Sequence, residues 1–369
     1  SILQSPSPTI DPTKESTYIF LDKLFREMAG LFPSPYFHIG ADENNGVAWK
    51  NNPAIMAWMK EKKIENVQAL QAYFVKRCYD ILKKTGKTMV GWEELYAPGL
   101  AKDVIVQKWL TDNPMMKGHG TPAEIAKQGN RVLVSAGFYL DLFMPAYIHY
   151  LNEALPADQH ANYLGGEAAQ WTELVDRRNA ELRVWPRAGV IAERLWSPAN
   201  VVDVDDMYRR LFVLSRQLDA NGLQHVNEYE SGLRTLSEGY GLNTLHGLAD
   251  VLTPIKGYKK MFSRFGKSAL AILPTAPNME LSDVLPVDAE TRLQFRSSVK
   301  HYLDTRDERT GEEIHALLQY WRGNASAYPA AFKGNARLMN VASHAVDLST
   351  LSRIGLDAME ALKDRKSVV

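Results

Sequence analysis

Asp42 and Glu43 stand side by side shortly after His38. Further along the chain Trp92-Glu93-Glu94, Trp109, Tyr139 with Asp141, and Trp171 with Glu173 repeat the combination of carboxylate and aromatic ring. Such a set suits a sugar. The CH-rich faces of a pyranose stack on indole and phenol rings, while carboxylates accept hydrogen bonds from its hydroxyls. Two adjacent carboxylates also offer acid and base chemistry on one ligand, but neighbours in an extended strand point to opposite sides, so the chain must turn there. A junction of strand and loop after Gly40 allows that turn. Taken singly, an Asp-Glu pair is an ordinary solvated surface pair and a tryptophan an ordinary core residue. The recurrence of the pattern is what points to a site.

The elements that must carry these residues can be read from periodicity. Ile19, Leu21, Leu24, Phe25 and Met28 fall at helical spacing over 18–32, and Tyr36 to Gly40 is short and strand-like. A second helix fits 67–84, with Val67, Leu70, Phe74, Cys78, Ile81 and Leu82 on one stripe and Gly86 closing it. Strands are expected at 88–92, 104–109, 131–135 and 164–171. Thr121-Pro122-Ala123-Glu124 carries an N-cap, a first-turn proline and a capping-box glutamate for a helix that Gly129 stops. Strands separated by helices predict parallel βαβ units. In a parallel barrel the carboxyl ends of all strands meet on one face, and each aromatic and acidic cluster above falls at or just after such an end. A helix is expected over 185–196. Helices without strands follow at 203–218 and 288–303, and along a stripe of Leu338, Val341, Ala345, Leu348 and Leu351. The first seventeen residues, rich in Ser, Pro and Thr, read as an extended entry segment.

Composition narrows the classes. Lys and Arg number 43 against 43 Asp and Glu, so there is no basic excess to neutralise a phosphate backbone or an anionic membrane. No apolar run reaches the roughly 20 residues that span a bilayer. The single cysteine, Cys78, excludes a disulfide framework within the chain.

The run His38-Ile39-Gly40-Ala41-Asp42-Glu43 resembles the signature of the family 20 glycoside hydrolases, the β-N-acetylhexosaminidases. Further matches follow in the family's order: Gly91-Trp92-Glu93-Glu94, Val106-Gln107-Lys108-Trp109, Tyr139-Leu140-Asp141, Gly165-Gly166-Glu167-Ala168 and Trp171-Thr172-Glu173. Trp185-Pro186-Arg187 and Ala192-Glu193-Arg194-Leu195-Trp196-Ser197 complete the series, so the resemblance extends over roughly the first 200 residues. It implies a TIM-type (β/α)8 barrel and a retaining mechanism in which the substrate's own 2-acetamido oxygen attacks C1. On that reading Glu43 is the general acid and then base, with a pKa raised by burial and a neighbouring acid. Asp42 orients the acetamido N–H, and Tyr139 lies on the acetamido carbonyl side. Trp92, Trp109 and Trp171 wall the sugar, Asp141 and Glu173 bond its hydroxyls, and His38 supports the others, although a lone histidine there fits a satisfied core residue equally well. No metal or cofactor is implied.

Several features depart from the family pattern. Ala41 replaces the commoner second glycine, a change expected to be tolerated. No tryptophan occurs between Pro145 and Leu164, so Tyr147, Tyr150 or Tyr163 is expected to substitute for one. In the family the Asp-Glu pair follows the fourth barrel strand, so this chain is expected to carry about five strands, the fourth to eighth, and to lack the first-strand arginine that binds sugar hydroxyls. Five strands do not close an eight-stranded barrel. The chain is then a C-terminal part of its enzyme, or the remainder is on another chain. The expected domains are a partial barrel over 1–219 and a helical C-terminal region over 220–369.

The expected activity is removal of terminal GlcNAc or GalNAc from chitooligosaccharides or glycans, with no nucleic-acid partner. The single cysteine makes the chain more similar to bacterial than to disulfide-bearing lysosomal members, which implies a periplasmic or secreted protein. Two other readings compete. A carbohydrate-binding protein without turnover needs the aromatic slot but not the retained Asp42 and Glu43. A metal-dependent hydrolase using His38 and Asp42 has no His-x-His or His-Glu-x-x-His spacing to support it.

Overall fold

A computed structural model describes residues 9–110, 120–152, 161–257, 259 and 280–364. The first eight residues of the expected entry segment lie outside that range. The described residues fall into two compact units, one drawn from Ser1–Phe138 and Asn152–Ala169, the other from Tyr139–Leu151, Gln170–Arg264 and Leu273–Val369.

The first unit is an α/β layer built on five parallel strands, β1 (Tyr36–His38), β2 (Thr88–Trp92), β3 (Ile105–Lys108), β4 (Arg131–Val134) and β5 (Tyr163–Gly166). They lie in chain order, each paired with the next in parallel register. β3 is buried along its whole length, as a strand covered on both faces must be. Its neighbours contribute Met89, Val90, Val132 and Val134 to the same core. The helices are α1 (Glu15–Leu31), α2 (Val47–Lys50), α3 (Pro53–Glu61), α4 (Val67–Lys83) and α5 (Pro122–Gln128). Asn52 and Asn66 cap α3 and α4 through their side chains, and Thr121 with Glu124 forms the expected capping box on α5. α1 packs on α4 with Tyr18, Leu21 and Phe25 inward, while Ile19, Phe20, Leu24 and Leu31 remain exposed, as do Phe32 and Tyr36 beyond its end.

Two sequence expectations need correction. The last strand was expected over 164–171, but it ends at Gly166. Its register against β4 slips between Val132 and Leu133 and Gly165 takes φ 109°; past Gly166 the segment is held by the Glu167 N–H to Val134 O and Ala169 N–H to Phe138 O bonds without regular pairing, so the strand stops before Trp171. The helix expected over 185–196 starts two residues later, as α6 (Arg187–Trp196), after a cis peptide bond at Trp185-Pro186, and a separate short helix at Ala180–Val184 precedes it. Proline has no N–H to continue a helix ladder, so α6 starts after it.

In the second unit the helices expected over 203–218 and 288–303 run over Val204–Ala220 and Glu290–Thr305. Of the C-terminal stripe, Leu338 lies on Ala336–Met339 and Ala345, Leu348 and Leu351 on Ala342–Asp364, with Val341 between the two helices and Leu351 exposed. Helices at His225–Leu236, Leu242–Ala249, Glu308–Arg322 and Asn324–Phe332 lie between them. Leu233, Leu245, Leu248, Tyr328, Leu338 and Ala345 form one core here, and Ile314, Leu318, Trp321, Leu356 and Met359 another.

Candidate active site

The chain leaves β1 through a left-handed turn. Gly40, Ala41 and Glu43 have φ of 76°, 80° and 54°, a region that only glycine enters freely. Three elements hold this turn. Gly40 accepts from the Trp92 N–H of β2 at 2.9 Å and donates its own N–H to His38 Nδ1 at 3.0 Å. Gln71 of α4 donates to the Ala41 carbonyl at 3.1 Å and accepts from Asn44 at 2.9 Å. The Glu43 N–H points to Glu94 Oε1, 3.3 Å away at the end of β2. Gly91 makes room for the arrangement, since a Cβ there would meet Leu95 at 2.1 Å and the Gly40 carbonyl at 3.2 Å. Asp42 and Glu43 both end up exposed at the turn. Among the described residues, the burial expected around Glu43 is not seen.

His38, Trp92 and Trp109 come together. The His38 ring meets Trp92 edge-on at 5.1 Å, and Trp92 meets Trp109 in the same manner at 6.4 Å. Because Nδ1 accepts from Gly40, it carries no proton, and the ring is also hydrogen-bonded to Gln107. Desolvation pulls the His38 pKa below its ordinary value, against the nearby Asp42 and Glu167 carboxylates. Gln107 continues the network, donating to Ser135 Oγ at 2.8 Å and to Glu167. A polar chain thus crosses the sheet from the end of β1 to the end of β5.

The end of β3 is gripped by two adjacent carboxylates. Glu93 pairs with Lys108 at 2.6 Å, both fully buried, and accepts the Leu110 N–H at 2.9 Å. Burial pushes the Glu93 carboxyl up to about 7 despite Lys108. Glu94 takes the residue between them, accepting the Trp109 indole N–H at 3.0 and 3.2 Å on its two oxygens.

The remaining expected site residues belong to the second unit. Tyr139 is buried, Asp141 and Glu173 share a small recess with Leu142, Phe143, Gln170 and Leu174, and Trp171 is 47% exposed. Desolvation raises the Asp141 pKa to about 6; the Trp171 N–H, which it accepts, opposes that rise, and the Glu173 charge adds to it. The backbone carrying Tyr139 and Asp141 is fixed by buried Arg187, which donates to the carbonyls of Leu140 at 2.9 Å and Met144 at 3.0 Å. Burial lowers the Arg187 pKa to about 10, still charged at neutral pH, and Asp288 is a nearby counter-charge.

The sequence reading did not assign roles to Glu93, Glu94, Gln107, Lys108, Glu167 or Arg187. All six stand within the quoted motifs, which was the available signal.

Residues 2–199 match the catalytic domain of glycosyl hydrolase family 20. The chain is similar to the beta-hexosaminidase subunit alpha of Mus musculus, 34% identical over 224 residues that make up 58% of this chain and 42% of that one. The subunit beta of Entamoeba histolytica is 36% identical over 221 residues, 53% and 38% of the two chains. Among solved structures, the chitobiase of Flavobacterium johnsoniae superposes with a TM-score of 0.86 at 33% identity, covering 96% of this chain and 54% of that one. The likeness to that protein therefore reaches well past residue 199. An exo beta-N-acetylglucosaminidase of Vibrio harveyi, solved with N-acetylglucosamine, gives a TM-score of 0.50 at 30% identity over 58% of this chain and 36% of its own. This chain spans about two-fifths of the length of the curated relatives it matches. With the family match covering more than half of the sequence, and with its motifs at the ends of parallel strands, the chain belongs to glycosyl hydrolase family 20.

Proposed function

We propose that the protein is an exo-acting β-N-acetylhexosaminidase that releases terminal β-linked GlcNAc or GalNAc with retention, by substrate-assisted catalysis. The observation that supports this reading is the left-handed turn after β1, where the Glu43 N–H meets Glu94 Oε1, on the carboxylate that also accepts from the Trp109 indole. In the first step the acetamido oxygen attacks C1, the glycosidic bond breaks, and the leaving oxygen takes the proton of Glu43. Asp42 accepts the acetamido N–H and stabilises the positive charge of the oxazolinium that forms. In the second step Glu43, now a carboxylate, takes a proton from water as the water attacks C1 and reopens the ring. Tyr139 serves the acetamido carbonyl side, Asp141 and Glu173 the sugar hydroxyls, and Trp171 a wall of the sugar site. The strands β1 to β5 correspond to the fourth to eighth of an eight-stranded barrel, and the region over 220–369 is a helical addition to it. Use of a single cysteine, Cys78, favours a periplasmic or secreted location on the analogy with bacterial members; fractionation of the native source would test that.

The test is a Glu43→Gln variant assayed on two β-GlcNAc glycosides. Loss is expected to be large for an alkyl or sugar aglycone and much smaller for a nitrophenyl aglycone that leaves without a proton. Equal loss on both would remove Glu43 from the acid role. A protein that binds GlcNAc but turns over neither glycoside would instead be a carbohydrate-binding protein.

A further inference from the structure

We infer that Glu94 is the positioning residue that sets the proton donor and the sugar wall in register with each other. Its carboxylate meets two groups far apart in sequence, the Glu43 N–H at 3.3 Å and the Trp109 indole N–H at 3.0 and 3.2 Å. The first contact falls where support is needed most. Glu43 sits at φ 54°, a conformation unfavourable for a residue with a Cβ, and such a residue persists only when its surroundings over-determine it. The second contact fixes an indole that packs edge-on against Trp92, itself edge-on against His38. One anion at the end of β2 thereby joins the backbone after β1 to the side chain after β3. Charge suits it to the task, because a carboxylate accepts on both oxygens and must donate to neither partner. Glu93 grips the flanking Lys108 and Leu110, so the end of β3 has little freedom to follow a displaced Trp109.

The inference rests on Glu43 being the proton donor, and the experiment separates the two claims. Glu94→Ala and Glu94→Gln are made in the full chain and given two readouts. One is the 15N–1H resonance of the Trp109 indole, identified by its disappearance in Trp109→Phe. The other is kcat and KM on the two glycosides described above. Glu94→Ala should move the indole resonance upfield and speed its hydrogen exchange. It should also lower kcat for the aglycone that needs a proton on the order of 10²-fold, as a misplaced catalytic group does, and raise KM on both glycosides as the Trp109 wall shifts. The nitrophenyl glycoside should lose much less. Glu94→Gln keeps one accepting oxygen and should recover part of both signals. An unmoved indole resonance in Glu94→Ala overturns the inference, as does equal loss on both glycosides. If the wild-type chain hydrolyses neither glycoside, the reading of Glu43 fails, and the resonance alone then decides whether Glu94 holds Trp109.

Discussion

Ala41 occupies a conformation that suits glycine, at φ 80° between Gly40 and Asp42. A left-handed residue with a Cβ costs about 1–2 kcal/mol, and part of the gain from replacing it is offset by the greater freedom of glycine in the unfolded chain, about 0.4–1 kcal/mol. Ala41→Gly should therefore raise stability by about 0.5–1 kcal/mol, seen as a higher urea midpoint at unchanged m; a lower midpoint would mean that the methyl group makes a contact worth more than the strain. Asp141 allows a second test at this scale. Its pKa is raised to about 6, so below that pH it is protonated and loses capacity to accept from sugar hydroxyls. KM should rise as pH falls through about 6, and Asp141→Asn should remove that rise; a KM that stays flat in the wild type would take Asp141 out of the sugar site.

At the scale of elements, the strand ends were legible because apolar runs bounded by Gly, Pro and polar residues mark where pairing stops, and Trp92, Trp109 and Asp42 lie at those stops. The supporting groups were not. Glu94 and Arg187 act on a backbone N–H and on carbonyls contributed by other elements, and such contacts have no spacing in the sequence to betray them. The fraying of β5 was hidden for a related reason, since Gly165 and the slip against β4 depend on a partner strand. Short helices such as α2, with four residues, are too brief to display a period. Arg187 supplies the prediction that belongs here. It is buried, charged, and bonded to the carbonyls of Leu140, Met144 and Arg183. Arg187→Met leaves those acceptors and the Asp288 charge without their partner and should cost about 3–5 kcal/mol. Thermal or urea unfolding would measure it, and a loss under 1 kcal/mol would mean that water or a neighbour replaces the guanidinium.

For the molecule as a whole, the five strands run in order from β1 to β5 without β1 meeting β5, so within the described residues the sheet is open at both ends. If these are the fourth to eighth strands of a barrel, hydrolysis of a β-GlcNAc glycoside by the 369-residue chain should rise when a polypeptide carrying the first three strands is refolded with it. Full activity of the chain alone, unaffected by the addition, would count against that strand assignment.

The outward face of α1 has a practical side. Ile19, Phe20, Leu24 and Leu31, followed by Phe32 and Tyr36, present oily surface beside β1, whose outer edge pairs with no other strand among the described residues, on a chain whose charges cancel near pH 7.1. Exposed apolar patches promote association, and a net charge near zero removes the repulsion that would oppose it. Colloidal stability should accordingly be poorest in neutral buffers. Purification well to either side of neutrality, or with a mild detergent to coat that helix, should keep the protein dispersed where phosphate-buffered saline would let it cloud.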